Sequence, residues 1–417
     1  MRTEKRNAFL SGLCGFAVAL GVMAGTALAD VTTERGASIL AFPKVLANSE
    51  DGDTLIQITN ISNNMVHAHC FYVNAAPDFF GNPQWQVTDF SIWLTKQQPT
   101  HWVVSTGRFV NPTDTCASSA GRYTPSAACA SAGIDPGAIP PVVDFFVGEL
   151  KCIEVDVAGN PIGGNHLKGE ATLISADNDI SKYNALGIQG TDLAGETGNE
   201  LLLNQPHDSE EQVGQYNSCP NVLLLNHLSE GVTDPVLYAN LLGGTCTMPL
   251  NTPCYSDADC EGGVCQNPPQ ILDGANQIDL ISATLTDLTL IPCSEDFENA
   301  IPASVTVQFV IYNEFEEQFS ASITVDCWKN FYLFEVDSPN DPMRSVFSFN
   351  VLGTVAAHTR IIPNPGDGAV LGVAGVTRAD SQGNLTRAAL NIHMEGDRFT
   401  ASGGEVVDKV TIPDFSF

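Results

Sequence analysis

A period of two runs through this chain and constrains its fold more than any other feature. Ile153, Val155 and Val157 alternate with Cys152, Glu154 and Asp156. Val305, Val307, Phe309 and Ile311 alternate with Thr306, Gln308 and Tyr312, and Ile323 and Val325 with Thr324 and Asp326. Leu390, Ile392 and Met394 alternate with Asn391, His393 and Glu395. Successive side chains of an extended strand point to opposite faces, so such runs read as strands with one buried face. Turn formers separate them: Asn60 to Asn64, Ala158-Gly159-Asn160-Pro161, Asp177-Asn178-Asp179 and Asp380-Ser381-Gln382-Gly383. No long window sustains a helical period.

The expected class is therefore all-β, with two immunoglobulin-like β-sandwich domains and a disulfide-rich insert. A loose repeat supports two domains. Leu55 to Thr59, an Asn-rich turn and Met65 to Val73 with Cys70 parallel Val305 to Tyr312, an acidic turn and Phe319 to Trp328 with Cys327. The segments Phe90 to Thr95 and Trp102 to Val104 read as edge strands carrying a tryptophan toward the core. The expected organisation is residues 30–190 as a first sandwich, 191–242 as an irregular polar segment, 243–270 as a Cys-rich insert and 271–417 as a second sandwich.

Residues 1–29 read as an export leader. Arg2, Lys5 and Arg6 precede an uncharged apolar stretch, and Ala27-Leu28-Ala29 supplies a small-residue cleavage site. Without the leader the chain holds 15 basic and 47 acidic residues over 388 positions, a net charge of −32. That charge excludes a nucleic-acid partner. No later stretch is long and apolar enough for a transmembrane helix. The terminal Phe417 follows an alternating segment, as in outer-membrane barrels, but Pro413 interrupts it and the cysteine content is foreign to such barrels. The expectation is an exported protein, soluble or peripherally attached: periplasmic, cell-surface or extracellular, with an acidic, solvated coat.

Eleven cysteines follow the leader, and an oxidising compartment pairs them. They group as Cys70, Cys116, Cys129 and Cys152; Cys246, Cys254, Cys260 and Cys265; Cys293 and Cys327; and a solitary Cys219. Bridges are expected within groups, with Cys116–Cys129 closing a loop and Cys293–Cys327 tying two strands. The run Cys254-Tyr-Ser-Asp-Ala-Asp-Cys260-Glu-Gly-Gly-Val-Cys265 resembles a short Cys-rich tag of secreted proteins from myxobacteria and related bacteria. Gly36 to Lys44 and Gln57 to Asn60 are similar to the opening of uncharacterised secreted bacterial proteins. The resemblance implies export and no activity.

Two metal readings arise. His67 and His69 sit two apart, so a strand places both imidazoles on one face; His101, His166 or an acid would complete the site. Asp257, Asp259, Glu261 and Gly262 fit positions 1, 3, 5 and 6 of a calcium loop, although Pro268 stands where the bidentate glutamate belongs. The four insert cysteines lack a paired C-x-x-C, which disfavours zinc. No G-x-S-x-G, P-loop or dinucleotide fingerprint occurs. The favoured expectation is a non-catalytic protein of surface structure, adhesion or ligand binding, with an unknown extracellular ligand as partner. An extracellular metal-assisted hydrolase and a calcium-dependent surface assembly protein are the alternatives.

Overall fold

The computed structural model describes residues 31–48, 52–77, 84–110, 134–176, 178–206, 211–230, 284–379, 385–398 and 407–414, with positions 209, 244–246, 248, 253–254, 260 and 262–266. Its class is all-β: strands dominate, and the described helices are single turns at Leu333–Val336, Pro342–Arg344 and Phe349–Leu352. No described helix is long and apolar enough to cross a membrane.

The first sandwich turns on one hairpin. Strand Ile39–Asn48 pairs with Gly52–Asn60 at Ala47↔Asp53 and Asn48↔Gly52, beside the turn. Beyond it the two strands separate into opposite layers. Gly52 makes this corner with φ +132°, and a Cβ there would lie 2.1 Å from the Ile174 carbonyl oxygen, so only glycine fits. One layer runs Gln86–Leu94, Val66–Asn74, Phe146–Val155, Ile39–Asn48; the other joins Pro99–Val103, Gly52–Asn60, Leu167–Ser175 and Ile180–Asn184. Leu40, Phe42, Ile56, Ile58, Tyr72, Leu150 and Trp102 fill the space between. Trp102 does face the core, and its indole N–H donates to the Tyr72 hydroxyl at 2.6 Å. Cys70 and Cys152, opposed across adjacent strands, form a disulfide in this core.

The second sandwich packs a sheet of Gln318–Asp326, Ser304–Asn313, Ala356–Pro363, Pro220–Leu228 and His393–Asp397 on one of Lys329–Tyr332, Thr284–Pro292, Val370–Ala379 and Leu385–Asn391. Val305, Val307, Phe309 and Ile311 point inward, as their alternation requires. The segment 191–242 departs from expectation. It holds strands Glu200–Gln205 and Pro220–Leu228, and the latter pairs on both sides, with Ala356–Pro363 and His393–Asp397. Polar flanks had obscured a strand whose Val222, Leu223 and Leu225 belong to the interior.

The repeat also dissolves in three dimensions. Ser304–Asn313 and Gln318–Asp326 form a hairpin, whereas Gly52–Asn60 and Val66–Asn74 lie in different layers. The cysteines part likewise. Cys293 bonds Cys219, not Cys327, because Cys219 opens strand Pro220–Leu228 and Cys293 closes strand Thr284–Pro292, so the bridge joins the two sheets of the second sandwich. Cys327 is a buried free thiol. In the insert, Cys246 and Cys265 are register partners between short strands, and Cys254 lies on a third. Cys260 is disulfide-bonded. Cys116 and Cys129 lie outside the described residues.

The two sandwiches meet along a broad seam. Asn184 and Asn391 exchange hydrogen bonds at 3.0 and 2.7 Å. Trp328 donates its indole N–H to the Pro43 carbonyl at 2.8 Å, and Lys44 pairs with Asp287. A third apolar cluster spans the seam, drawing Ile39, Ile153 and Val155 from the first sandwich, Ile291 and Leu371 from the second, and Leu201, Leu203 and Val410 from a small sheet of Tyr216–Asn217, Glu200–Gln205, Asp408–Thr411 and Glu295–Asp296.

Candidate functional site

Strand Phe146–Val155 places the most reactive side chains. It is buried on both faces, contrary to a simple reading of its alternation. Leu150 and Cys152 enter the first core; Ile153 and Val155, on the opposite face, enter the seam. Glu149 and Lys151 share that second face. Across the seam comes Glu295, from the short strand Glu295–Asp296. Lys151 Nζ contacts Glu295 Oε2 and lies 3.5 Å from Glu149 Oε2. It also lies 3.4 Å from the Pro292 carbonyl and 5.9 Å from the centre of the Phe297 ring. Phe297 stacks on Phe71 at 4.4 Å. All three charged side chains are at most 5% exposed.

Two carboxyls compete here for one ammonium. Burial, then the neighbouring Glu295, pushes the Glu149 carboxyl well above the usual carboxylate range. Burial opposes the charge on Lys151, but the attraction of Glu149 and Glu295 outweighs it and raises the ammonium above its ordinary value. Burial and the same carboxylates raise the Cys327 thiol, which stays protonated. Glu149, Glu295 and Cys327 are, among the described residues, the group of three metal-capable side chains that converge. Lys151 already supplies the positive charge among them, which disfavours a metal cation.

The histidines are placed differently from the metal reading. His67 and His69 share a face of Val66–Asn74, but that face is buried. His67 stacks on Trp93 at 3.8 Å, and its Nδ1 donates to the Asp156 carbonyl at 3.0 Å. Burial lowers its pKa to about 4, so the ring is neutral. His69 meets the Ser91 hydroxyl at 2.8 Å and Asp89 at 3.2 Å. Neither belongs to a three-ligand group among the described residues. His101 is exposed on Pro99–Val103, and His166 is held 2.7 Å from Glu154. His393 is exposed. Asp257, Asp259 and Glu261 lie outside the described residues.

An open cavity of about 510 Å³ lies at one end of the second sandwich, lined by Asn226, Leu228, Thr286, Tyr312, Ala356, His358 and Val376 among others. The His358 ring lies 2.8 Å from Asn226 Oδ1. Beside it His227 is buried, with Nε2 at 2.9 Å from the Thr359 hydroxyl; burial lowers its pKa to about 4.

Lys151, Glu295 and this cavity escaped the sequence reading. A signal for the first existed: Glu149 and Lys151 interrupt a face that continues as Ile153 and Val155. Charges on an apolar strand face need partners. Glu295 and the cavity depend on long-range contacts that no local pattern announces. Compared with protein-family models and with curated proteins, the chain matches none.

Proposed function

We propose that this protein is an exported, non-catalytic pair of β-sandwiches that serves as a structural or adhesive element at an outer surface. One observation carries the reading: among the described residues, the metal-capable side chains that converge, Glu149, Glu295 and Cys327, are buried with Lys151 at the seam. Lys151 and Glu149 of the first sandwich meet Glu295 of the small neighbouring sheet, and His67 packs on Trp93. The disulfides Cys70–Cys152 and Cys219–Cys293 suit an oxidising exterior. Expressed with its leader, the protein is expected in the exported fraction, processed after Ala29, resistant to trypsin and without hydrolase activity on ester, peptide or glycoside panels. Retention in the cytoplasm, or turnover abolished by a His67→Ala/His69→Ala variant, would refute the reading.

The cavity at the end of the second sandwich favours a second reading, the binding of a small amphipathic ligand. Apolar walls with a few convergent polar groups are the usual form of such sites. A neutral apolar dye such as Nile red is the probe. Saturable binding that Ala356→Trp abolishes supports this reading; binding unchanged by that variant removes it.

A further inference from the structure

Lys151 belongs to the first sandwich and Glu295 to the small four-stranded sheet of Tyr216–Asn217, Glu200–Gln205, Asp408–Thr411 and Glu295–Asp296, yet an ammonium and a carboxylate meet between them. Lys151 lies on Phe146–Val155, at the centre of the first sandwich; Glu295 follows the strand that ends at the Cys219–Cys293 bridge. Glu149 completes the trio, with its Oε2 3.5 Å from Lys151 Nζ. The site is dry: the three side chains are 1%, 5% and 0% exposed, in the order Lys151, Glu295, Glu149. Neither Glu149 oxygen, nor Glu295 Oε1, has a well-formed hydrogen bond. The Phe71–Phe297 stack lies beside the amine.

This arrangement weakens the usual bias against amide formation. In water, solvation stabilises the separate ammonium and carboxylate, and solvent drives hydrolysis. In a dry interior an unsolvated ion pair is costly, whereas an amide is neutral. Fixing the amine against the carboxyl group also removes the encounter entropy; well-oriented intramolecular reactions reach effective concentrations of roughly 10⁵ M or more. A second carboxyl, Glu149, lies 3.5 Å from the amine and within 4.8 Å of Glu295, placed for acid–base catalysis. Cys327 does not compete as a nucleophile, because its thiol stays protonated.

We propose that Lys151 and Glu295 condense to an intramolecular amide, with Glu149 as the acid–base group, so that the first sandwich is covalently joined to the small sheet that holds Glu295. Proton transfer within the ion pair gives an amine and a carboxylic acid. Lys151 Nζ attacks Cδ of Glu295 and a C–N bond forms. Glu149 accepts a proton from Nζ and delivers one to the departing hydroxyl. The Cδ–O bond breaks and one water leaves. Nothing is oxidised or reduced, no co-reactant is needed, and Glu149 ends as it began.

The test is mass spectrometry of the full exported chain, reduced and denatured so that disulfides contribute nothing. The wild type is expected to be lighter than its processed sequence by one water. A tryptic map should show the Lys151 peptide joined to the Glu295 peptide after reduction, with no cleavage after Lys151. Glu149→Gln, a near-isosteric change, is expected to restore the water and the cleavage while keeping the Cys70–Cys152 and Cys219–Cys293 bridges. The wild-type measurement stands if that variant misfolds. A wild-type chain of full mass overturns the amide, as does a stoichiometric metal ion recovered with Lys151 unmodified. A lost water mapped to another pair overturns it equally. These outcomes concern covalent structure only and do not depend on the proposed surface role.

Discussion

Removing the Cys219–Cys293 bridge should carry a large cost in stability, close to that of removing Cys70–Cys152. The two residues are 74 apart in sequence, and the bridge ties strands from opposite sheets of the second sandwich. Closing a loop of that length restricts the unfolded chain by an entropy worth about 4.5 kcal/mol at room temperature. Cys219→Ala/Cys293→Ala should therefore lower the unfolding free energy by about 4 kcal/mol. For a chain of this size that moves the thermal midpoint down by roughly 5 °C. Both residues must change together, because a single substitution leaves a thiol in the buried cluster that holds Cys327. The assay is urea unfolding under non-reducing conditions, read from the midpoint at constant slope. Cys327→Ala is the control. It removes one buried sulfur and opens no loop, so its cost should stay under about 2 kcal/mol. A loss below about 1.5 kcal/mol in the double variant, or an equal loss in the control, would refute the pairing and the entropic account together.

Three further outcomes concern pH and backbone. His67 and His227 have folded pKa values near 4, below the ordinary 6.5, chiefly through burial. The folded state excludes their protons, so their stabilisation is complete above pH 6.5 and is lost as pH falls toward 4, by up to about 3 kcal/mol each. A His227→Phe variant should show a shallower loss over that window in urea titrations; an unchanged slope refutes the assignment. Glu230 has the opposite sign. Burial raises it from 4.5 to about 8, although the Thr286 and Phe334 amides donate to its carboxyl and pull the other way. The folded state holds this proton, so its contribution is full below pH 4.5 and falls as pH rises to about 8. The steepest slope is about 1.4 kcal/mol per pH unit, and Glu230→Gln should abolish it even if baseline stability drops. Finally, a Cβ at Gly148 would lie 1.9 Å from the Val73 carbonyl oxygen. Gly148→Ala should force apart the strands beside Glu149 and cost about 1–3 kcal/mol; a neutral result in thermal melts would show that the sheet yields there.

The sequence by itself determined the class of this protein. Period-two runs such as Val305 to Ile311 carry their own orientation, because strand geometry alone sends alternate side chains to one face. The acidic excess, the leader pattern and the odd cysteine count were equally local. The tertiary structure alone decided which residues meet. Cys293 is closer in sequence to Cys327, but sheet packing carries Cys219 to it. The strand Pro220–Leu228 was hidden in a polar region because its place is set by pairing on both edges. His67 and His69 had the spacing of ligands, yet their face became an interior one, with His67 against Trp93. Lys151 and Glu295 are 144 residues apart and meet only where the small sheet of Glu295–Asp296 packs on the first sandwich. Local pattern reports which face of a strand is apolar; the packing of layers decides whether the other face also loses its water, and so which charges must find each other.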